Sequence, residues 1–260
     1  MANDGPGLPF FVYYCIPAIY VPVWIESYKF MNTSPPCIYS LGDSALTLDL
    51  GNFIEEDLNA RVLAIYDWLG SNPLEGVIDR IVAYSSVSVF YDPTQIVHRK
   101  AVSEWLLEGW QRTSATSLRD DGRDIRIPVC YEGEYAPDLE AVAREKRMST
   151  EEIIDLHCGV TYRIYMIGFL PGFPYMGKTD TRIEIPRKAR PVPVIAGGVG
   201  IAGLQTGVYP LSSPGGWQII GRTPMPLFDR DADPPILLRT GDRVRFYPVS
   251  KAEYRSFSLH

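Results

Sequence analysis

The stretch from Val160 to Asp229 constrains the fold more than any other part of the chain. Short runs of β-forming residues alternate there with clusters of glycine and proline, among them PGFPYMG and SSPGGW. Glycine allows backbone conformations that other residues avoid, whereas proline fixes φ and removes a hydrogen-bond donor. Closely spaced turns of defined shape between short strands predict a compact, barrel-like β domain.

The segment before this stretch has a mixed pattern. Strand and helix signals follow one another from Ile38 to Cys130 in the order β-β-α-β-β-α-β, and the second helix is expected to open at Asp92-Pro93. That order predicts an α+β domain of the β-α-β-β-α-β type, with a sheet on one side and two helices on the other. We expect this domain over residues 36–124, the barrel over 125–250 and a C-terminal tail over 251–260.

Two helices are predicted where the chain enters the barrel region. They cover Asp138 to Lys146 and Thr150 to His157. Ser149 stands at the N-cap of the second helix, and Glu152 follows three residues later, which is the pattern of a capping box. We therefore expect the second helix to begin at Thr150.

Composition excludes several classes of function. The net charge is −6 and no cluster of Lys and Arg forms a basic patch, which argues against a nucleic-acid partner. The four cysteines and three histidines show no zinc-ligand spacing, so we predict no metal site and reduced thiols in a cytoplasmic protein.

The uncharged stretch from Leu8 to Ile25 is not a membrane span in our interpretation. Pro9, Pro17 and Pro22 would interrupt a helix, and no basic segment precedes the stretch. Our hypothesis is that the native protein starts at Met31, which leaves residues 1–35 as an extension outside the fold.

Two known ligand-binding motifs match part of this sequence, but each lacks a feature that its ligand requires. Residues 198–203 read G-x-G-x-x-G, but further glycine and a proline follow where a dinucleotide site needs a helix. Asp229, Asp231 and Asp233 open like a calcium loop, yet the sixth position is Pro234 instead of glycine. Neither motif predicts a ligand.

Four longer phrases carry a family resemblance: GFLPGFPYMG, IAGLQTGVYP, SPGGWQIIGRTPMPLFD and GDRVRF. They are similar to the KipI/PxpB family, also called allophanate hydrolase subunit 1, over roughly Pro36 to Val249. The resemblance implies a cyclophilin-like C-terminal barrel. Two departures fall in the glycine-rich loop, where Gly198 replaces the family's usual serine and Leu204 replaces a glycine.

The resemblance also implies a function, that of the B component in a cytoplasmic ATP-dependent 5-oxoprolinase that cleaves 5-oxo-L-proline to L-glutamate. Such a chain would be inactive alone and would pair with a C component (allophanate hydrolase subunit 2-like) and with a LamB/YcsF-like A component. ATP and Mg²⁺ are implied as well, held together with the partner chain. Two alternatives stay open: a KipI-like histidine-kinase inhibitor, and a urea- or allophanate-type carboxyltransferase subunit.

Lactam opening with ATP calls for cations around phosphate, donors to a carbonyl and a base for water. The predicted catalytic residues are His157, Glu134 and Gln205. The predicted substrate- and phosphate-binding residues are Arg187, Gly198, Thr206, Gly215, Gly216 and Arg222. Each has a structural alternative: the arginines could pair with carboxylates, Gln205 could satisfy buried backbone, and His157 could cap its helix as a cation.

Overall fold

The computed structural model describes residues 36–51, 54–96, 98–113 and 122–257, and all of these belong to one compact unit. The apolar stretch at residues 8–25, the proposed start at Met31 and the extension 1–35 lie outside the described residues. None of the helices in the described ranges combines the length and the apolar character needed to cross a bilayer.

The first sheet has four antiparallel strands in the order β1-β2-β4-β3. Along β4 every second residue is buried, as expected for a strand with one face on a core. That face packs against two helices through Leu48, Val89, Ile65 and Leu106. The elements are β1 (Cys37–Ser40), β2 (Ala45–Asp49), α1 (Glu56–Ser71), β3 (Val77–Val82), β4 (Ser86–Tyr91) and α2 (Arg99–Arg112).

Helix α2 begins later than the sequence predicted. The Asp92 carboxylate accepts from the backbone N–H of Thr94 at 2.8 Å and from its hydroxyl at 2.6 Å, which closes a tight turn. Asp side chains favour such local turns over helix. The predicted start at Asp92-Pro93 is therefore wrong, and the helix begins at Arg99.

The second sheet has seven strands in the order β12-β9-β10-β7-β6-β13-β5, all antiparallel except the pair β13 and β5. A small two-stranded sheet pairs β8 with β11. The strands are β5 (Asp124–Val129), β6 (Tyr162–Ile167), β7 (Pro174–Gly177), β8 (Val192–Val194), β9 (Gly198–Ala202), β10 (Gln205–Val208), β11 (Ser213–Gly215), β12 (Gln218–Arg222) and β13 (Arg243–Pro248).

The two edges of the seven-stranded sheet meet. Cys130, directly after β5, exchanges two backbone hydrogen bonds with Arg222 at the end of β12, at 2.8 and 3.0 Å. The sheet is therefore nearly closed on itself, which confirms the barrel-like character predicted from the turn-rich sequence. The protein is a mixed α/β structure.

Three helices accompany this sheet: α3 (Leu139–Lys146), α4 (Thr150–Cys158) and α5 (Lys251–Phe257). The capping box of α4 is confirmed, because Glu152 N–H donates to Ser149 Oγ at 3.1 Å and Ser149 N–H donates to Glu152 Oε2 at 2.7 Å. Helix α5 stands where we expected a tail. Ser250 and Glu253 form the same reciprocal pair at its start.

Candidate functional site

His157, a predicted catalytic base, lies in the last turn of α4 and is fully buried. Thr206 Oγ1 donates its one proton to Gly200 O at 3.1 Å, so the Thr206 oxygen accepts from His157 Nε2 at 2.8 Å. His157 Nδ1 then accepts from the Tyr131 hydroxyl, also at 2.8 Å. Every polar atom of the imidazole is satisfied in its neutral form.

The surroundings of His157 keep it neutral. Its ring stacks on Phe246, with centroids 4.6 Å apart. Burial lowers the pKa of His157 from 6.5 to about 3, because the charged form would lose its hydration. A cationic helix cap is thus ruled out. Among the described residues His157 and Thr206 are both fully buried and hydrogen bond to each other, and their roles in catalysis and substrate binding stay predictions.

Glu134 and Arg222 lie at a second place, beside the start of α5. The Glu134 carboxylate binds Lys251 Nζ at 2.9 Å, which lowers the pKa of Glu134. The Arg222 guanidinium lies over the ring of Tyr135, 5.5 Å from its centroid. Within the described ranges Arg222 has no carboxylate partner, and its buried Nε lacks a hydrogen-bond acceptor.

The three glycines that were predicted to bind phosphate all make contacts within the fold. Gly198 N–H donates to Ile195 O at 3.0 Å, and Gly198 itself is buried in β9. Gly215 is buried in β11, with the Tyr209 ring lying where a Cβ would project. Gly216 O accepts from Lys188 N–H at 2.7 Å. An anion nest at Gly198 would therefore have to displace a backbone hydrogen bond, whereas the phosphate contacts of Gly215 and Gly216 stay predictions.

A third place brings together aromatic side chains from both sheets, and we call it the aromatic face. Tyr84, from the turn between β3 and β4, meets Tyr165 of β6 at 5.7 Å and Tyr175 of β7 at 5.9 Å between ring centroids. Tyr175 in turn meets Trp217 at 6.0 Å. Phe173 packs beneath, 4.8 Å from Tyr175. Residues of two sheets that are distant in sequence thus form one continuous aromatic cluster.

Arg187 lies at the edge of the aromatic face. Its guanidinium stands 5.8 Å from the centroid of Trp217, a cation–π geometry. Its charge lowers the pKa of Tyr84, Tyr175 and Tyr209, although burial raises all three by a larger amount. Across the described ranges Arg187 makes no hydrogen bond or ion pair, so the carboxylate pairing considered for it is absent.

Gln205 belongs to the same face by strand register. It lies opposite Gly177, and Gly207 lies opposite Tyr175. Residues two apart on a strand point to the same side, so Gln205 shares the side of Tyr175 while Thr206 points into the core. Its side-chain amide has no hydrogen-bond partner in the part of the chain that the structure describes, so it does not satisfy buried backbone there.

The predicted residues therefore occupy three separate places. Arg187 and Gln205 lie at the aromatic face. Glu134 and Arg222 lie beside the start of α5, and His157 lies in the core between strands. Arg187 contacts Trp217, and five residues of extended chain place the Cα atoms of Trp217 and Arg222 roughly 16 Å apart. Sequence reasoning missed Tyr84, because nothing local distinguishes a turn tyrosine that reaches another sheet.

The comparison with known proteins agrees with this architecture. The family model for the carboxyltransferase domain, subdomain C and D, matches residues 36–238. The B component of 5-oxoprolinase from Bacillus subtilis (strain 168) is 44% identical over 229 residues, covering 85% of this chain and 95% of the relative. The protein of the same name from Escherichia coli O157:H7 is 39% identical over 211 residues, covering 81% and 94%.

Solved structures show the same fold. The crystal structure of TTHA0988 is 36% identical with a TM-score of 0.69, and it covers 79% of this chain; the chain spans only 40% of that protein. The urea amidolyase of K. lactis is 18% identical with a TM-score of 0.70, covering 85% of this chain and 15% of the amidolyase, a likeness of fold alone. The match over residues 36–238 confirms the family that the sequence motifs indicated, and the chain belongs to the carboxyltransferase domain family, subdomains C and D.

Proposed function

We propose that this chain is the B component of an ATP-dependent 5-oxoprolinase, which opens the lactam of 5-oxo-L-proline to give L-glutamate. One observation carries the proposal: two relatives named as the B component of 5-oxoprolinase are 44% and 39% identical over 95% and 94% of their own length. The proposal also includes three predictions about the fold. The barrel is of the cyclophilin-like type, the N-terminal domain is of the β-α-β-β-α-β type, and the boundary between the two lies between residues 124 and 125.

The described residues supply part of such a site and not all of it. A lactam needs its carbonyl polarised and a small acid needs its charge bound, and Arg187 and Gln205 offer free donors on one face. They do not fit a complete Mg²⁺–ATP site. Within the described ranges no group of three carboxylate, histidine or cysteine side chains is placed to hold a metal ion.

Partner chains complete the site in our proposal. Triphosphate binding favours several cations or free backbone amides around the phosphates, and the Gly198 amide is already paired in β9. We therefore assign Mg²⁺ and most contacts to ATP to the surface shared with the C component, with the A component acting in the same cytoplasmic enzyme. This chain alone would then be inactive.

The test is ATP hydrolysis that depends on 5-oxoproline, measured with this chain and candidate A and C components purified as one complex. A parallel preparation omits this chain and serves as the control. Turnover that disappears on omission supports the proposal. A well-folded complex without turnover contradicts it, and assays with urea-like substrates and of histidine-kinase autophosphorylation then decide between the carboxyltransferase and kinase-inhibitor alternatives.

A further inference from the structure

The Tyr84 hydroxyl is the first sign that the aromatic face binds a ligand. It is buried, and it has no hydrogen-bond partner among the described residues. A buried hydroxyl without a partner costs free energy, and most such groups in proteins are paired. Tyr175 and Tyr165 crowd the ring on two sides, so the hydroxyl is held in place by packing.

Arg187 is the second sign. Arg187 is exposed, and within the described ranges none of the five donors of its guanidinium is used, so all five are accessible to a ligand. Its charge reaches the hydroxyls of Tyr84 and Tyr175 without hydrogen bonding to either. A continuous chain of ring contacts links the two groups: Arg187 stands 5.8 Å from Trp217, Trp217 lies 6.0 Å from Tyr175, and Tyr175 lies 5.9 Å from Tyr84.

Asn59 fixes the position of Tyr84 relative to Tyr165 in the aromatic face. The Asn59 side chain is fully buried on α1. Its amide donates to the backbone carbonyls of Tyr84 at 3.1 Å and of Tyr165 at 3.0 Å. One side chain thus ties the turn of the first sheet to a strand of the second. Tyr84 is held over the aromatic face before any ligand arrives, which reduces the entropic cost of binding.

We infer that Arg187 and Tyr84 form a subsite for one carboxylate of a small acid whose apolar ring rests on Trp217 and Tyr175. Arginine matches a carboxylate through two parallel N–H···O bonds, and a phenol adds a third donor. Phosphate would call for a denser cluster of donors, yet the neighbouring Lys188 is held by Asp138 at 2.6 Å. Under the proposed function, on which this part rests, the acid is 5-oxoproline.

The assembled complex tests the subsite with two substrates. 5-Oxoproline carries the carboxylate, whereas 2-pyrrolidinone is the same lactam without it. Arg187→Gln should raise KM for 5-oxoproline by about 10- to 100-fold, the range of a charge-assisted hydrogen-bond pair. Its KM for 2-pyrrolidinone should change less than about twofold. Tyr84→Phe should raise KM for 5-oxoproline by roughly fivefold, as expected for one lost hydrogen bond.

Arg190→Gln is the matched control, since Arg190 is an exposed arginine of the same loop. It should leave both KM values within about twofold, because Arg190, unlike Arg187, has no cation–π contact with the aromatic face within the described ranges. The inference is overturned if Arg187→Gln raises both KM values equally or changes neither. It is also overturned if Arg190→Gln has the same selective effect. The total positive charge of the loop would then matter, and the position of Arg187 beside Trp217 would not.

Failure of the proposed function has a different signature, which is a wild-type complex without 5-oxoproline-dependent hydrolysis. Calorimetric titration of that complex with 5-oxoproline and 2-pyrrolidinone then decides. Binding of the acid alone, lost in Arg187→Gln and kept in Arg190→Gln, supports the carboxylate subsite without the enzyme assignment. No binding of the acid by the wild-type complex refutes both.

Discussion

Lowering the pH from 7.5 to 5.0 should destabilise the protein by about 2 kcal/mol through His157. Burial lowers its folded-state pKa from 6.5 to about 3, so the folded ring stays neutral at pH 5.0. The unfolded chain binds a proton at this site once the pH falls below about 6.5. Proton linkage over that interval gives about 2 kcal/mol in favour of the unfolded state.

The sign follows from the direction of the pKa change. A base whose folded pKa is lowered contributes its full stability above the unfolded pKa, and that stability is lost progressively as the pH falls toward the folded pKa. Continuing to pH 3 would bring the loss to about 4 kcal/mol, because the folded ring itself begins to bind a proton there. Carboxylates add their own effects near pH 4, so the interval above pH 5.0 isolates the histidine.

The assay is urea unfolding followed by tryptophan fluorescence at several pH values between 7.5 and 5.0. His157→Gln should be less stable throughout and should lose most of the pH dependence in this interval. His98→Gln, which replaces an exposed histidine, is the matched control and should keep the wild-type slope. A flat wild-type curve, or a slope that survives in His157→Gln, would refute the reasoning.

The wild-type protein gives an independent check in case His157→Gln does not fold. The imidazole proton resonances of His157 report its charge directly during an NMR titration. They should remain at the neutral position down to about pH 4.5, since burial lowers the pKa to about 3. A titration midpoint above pH 5.5 would mean that the buried network does not exclude the proton.

Three further predictions concern packing and backbone. Thr206→Val should cost about 1–3 kcal/mol in urea unfolding, because the buried His157 Nε2–H loses its acceptor, whereas Thr206→Ser should cost less than about 1 kcal/mol. Gly215→Ala should cost about 1–3 kcal/mol, because its Cβ would overlap the Tyr209 ring, and a thermal melt would show the lower Tm. Arg147→Gly should stabilise by about 0.5–1 kcal/mol, since Arg147 caps α3 in a left-handed conformation at φ 57°; no rise in Tm would contradict that account.

Features set by neighbours in sequence could be predicted. The capping box at Ser149 and Glu152 is one, because the whole motif lies within four residues. The helix at Ser250 could have been found by the same rule. Asp92 shows where local rules compete: an Asp before Pro can cap a helix or close a turn, and here the turn with Thr94 forms instead.

The candidate site depends on contacts that no local pattern records. Asn59 bridges to the backbone of Tyr165, 106 residues away along the chain. The neutral state of His157 requires Thr206, which is 49 residues away, and Tyr131, which follows the end of β5. Charge and burial of a side chain follow from such partners, so the sequence could nominate His157 without saying whether it meets water.

Three glycines in β9, β10 and β11 are explained by what lies against them. A Cβ at each of three glycines would meet a bulky side chain: Gly200 meets Trp217, Gly207 meets Phe173 and Gly215 meets Tyr209. These rings belong to one buried cluster, and that cluster is the floor beneath Arg187. These three glycines thus leave room for aromatic rings, and Gly215 is the one among them that was also predicted to contact phosphate. Substitution of these glycines should therefore act on stability, whereas substitution of Arg187 should act on ligand binding with the fold intact.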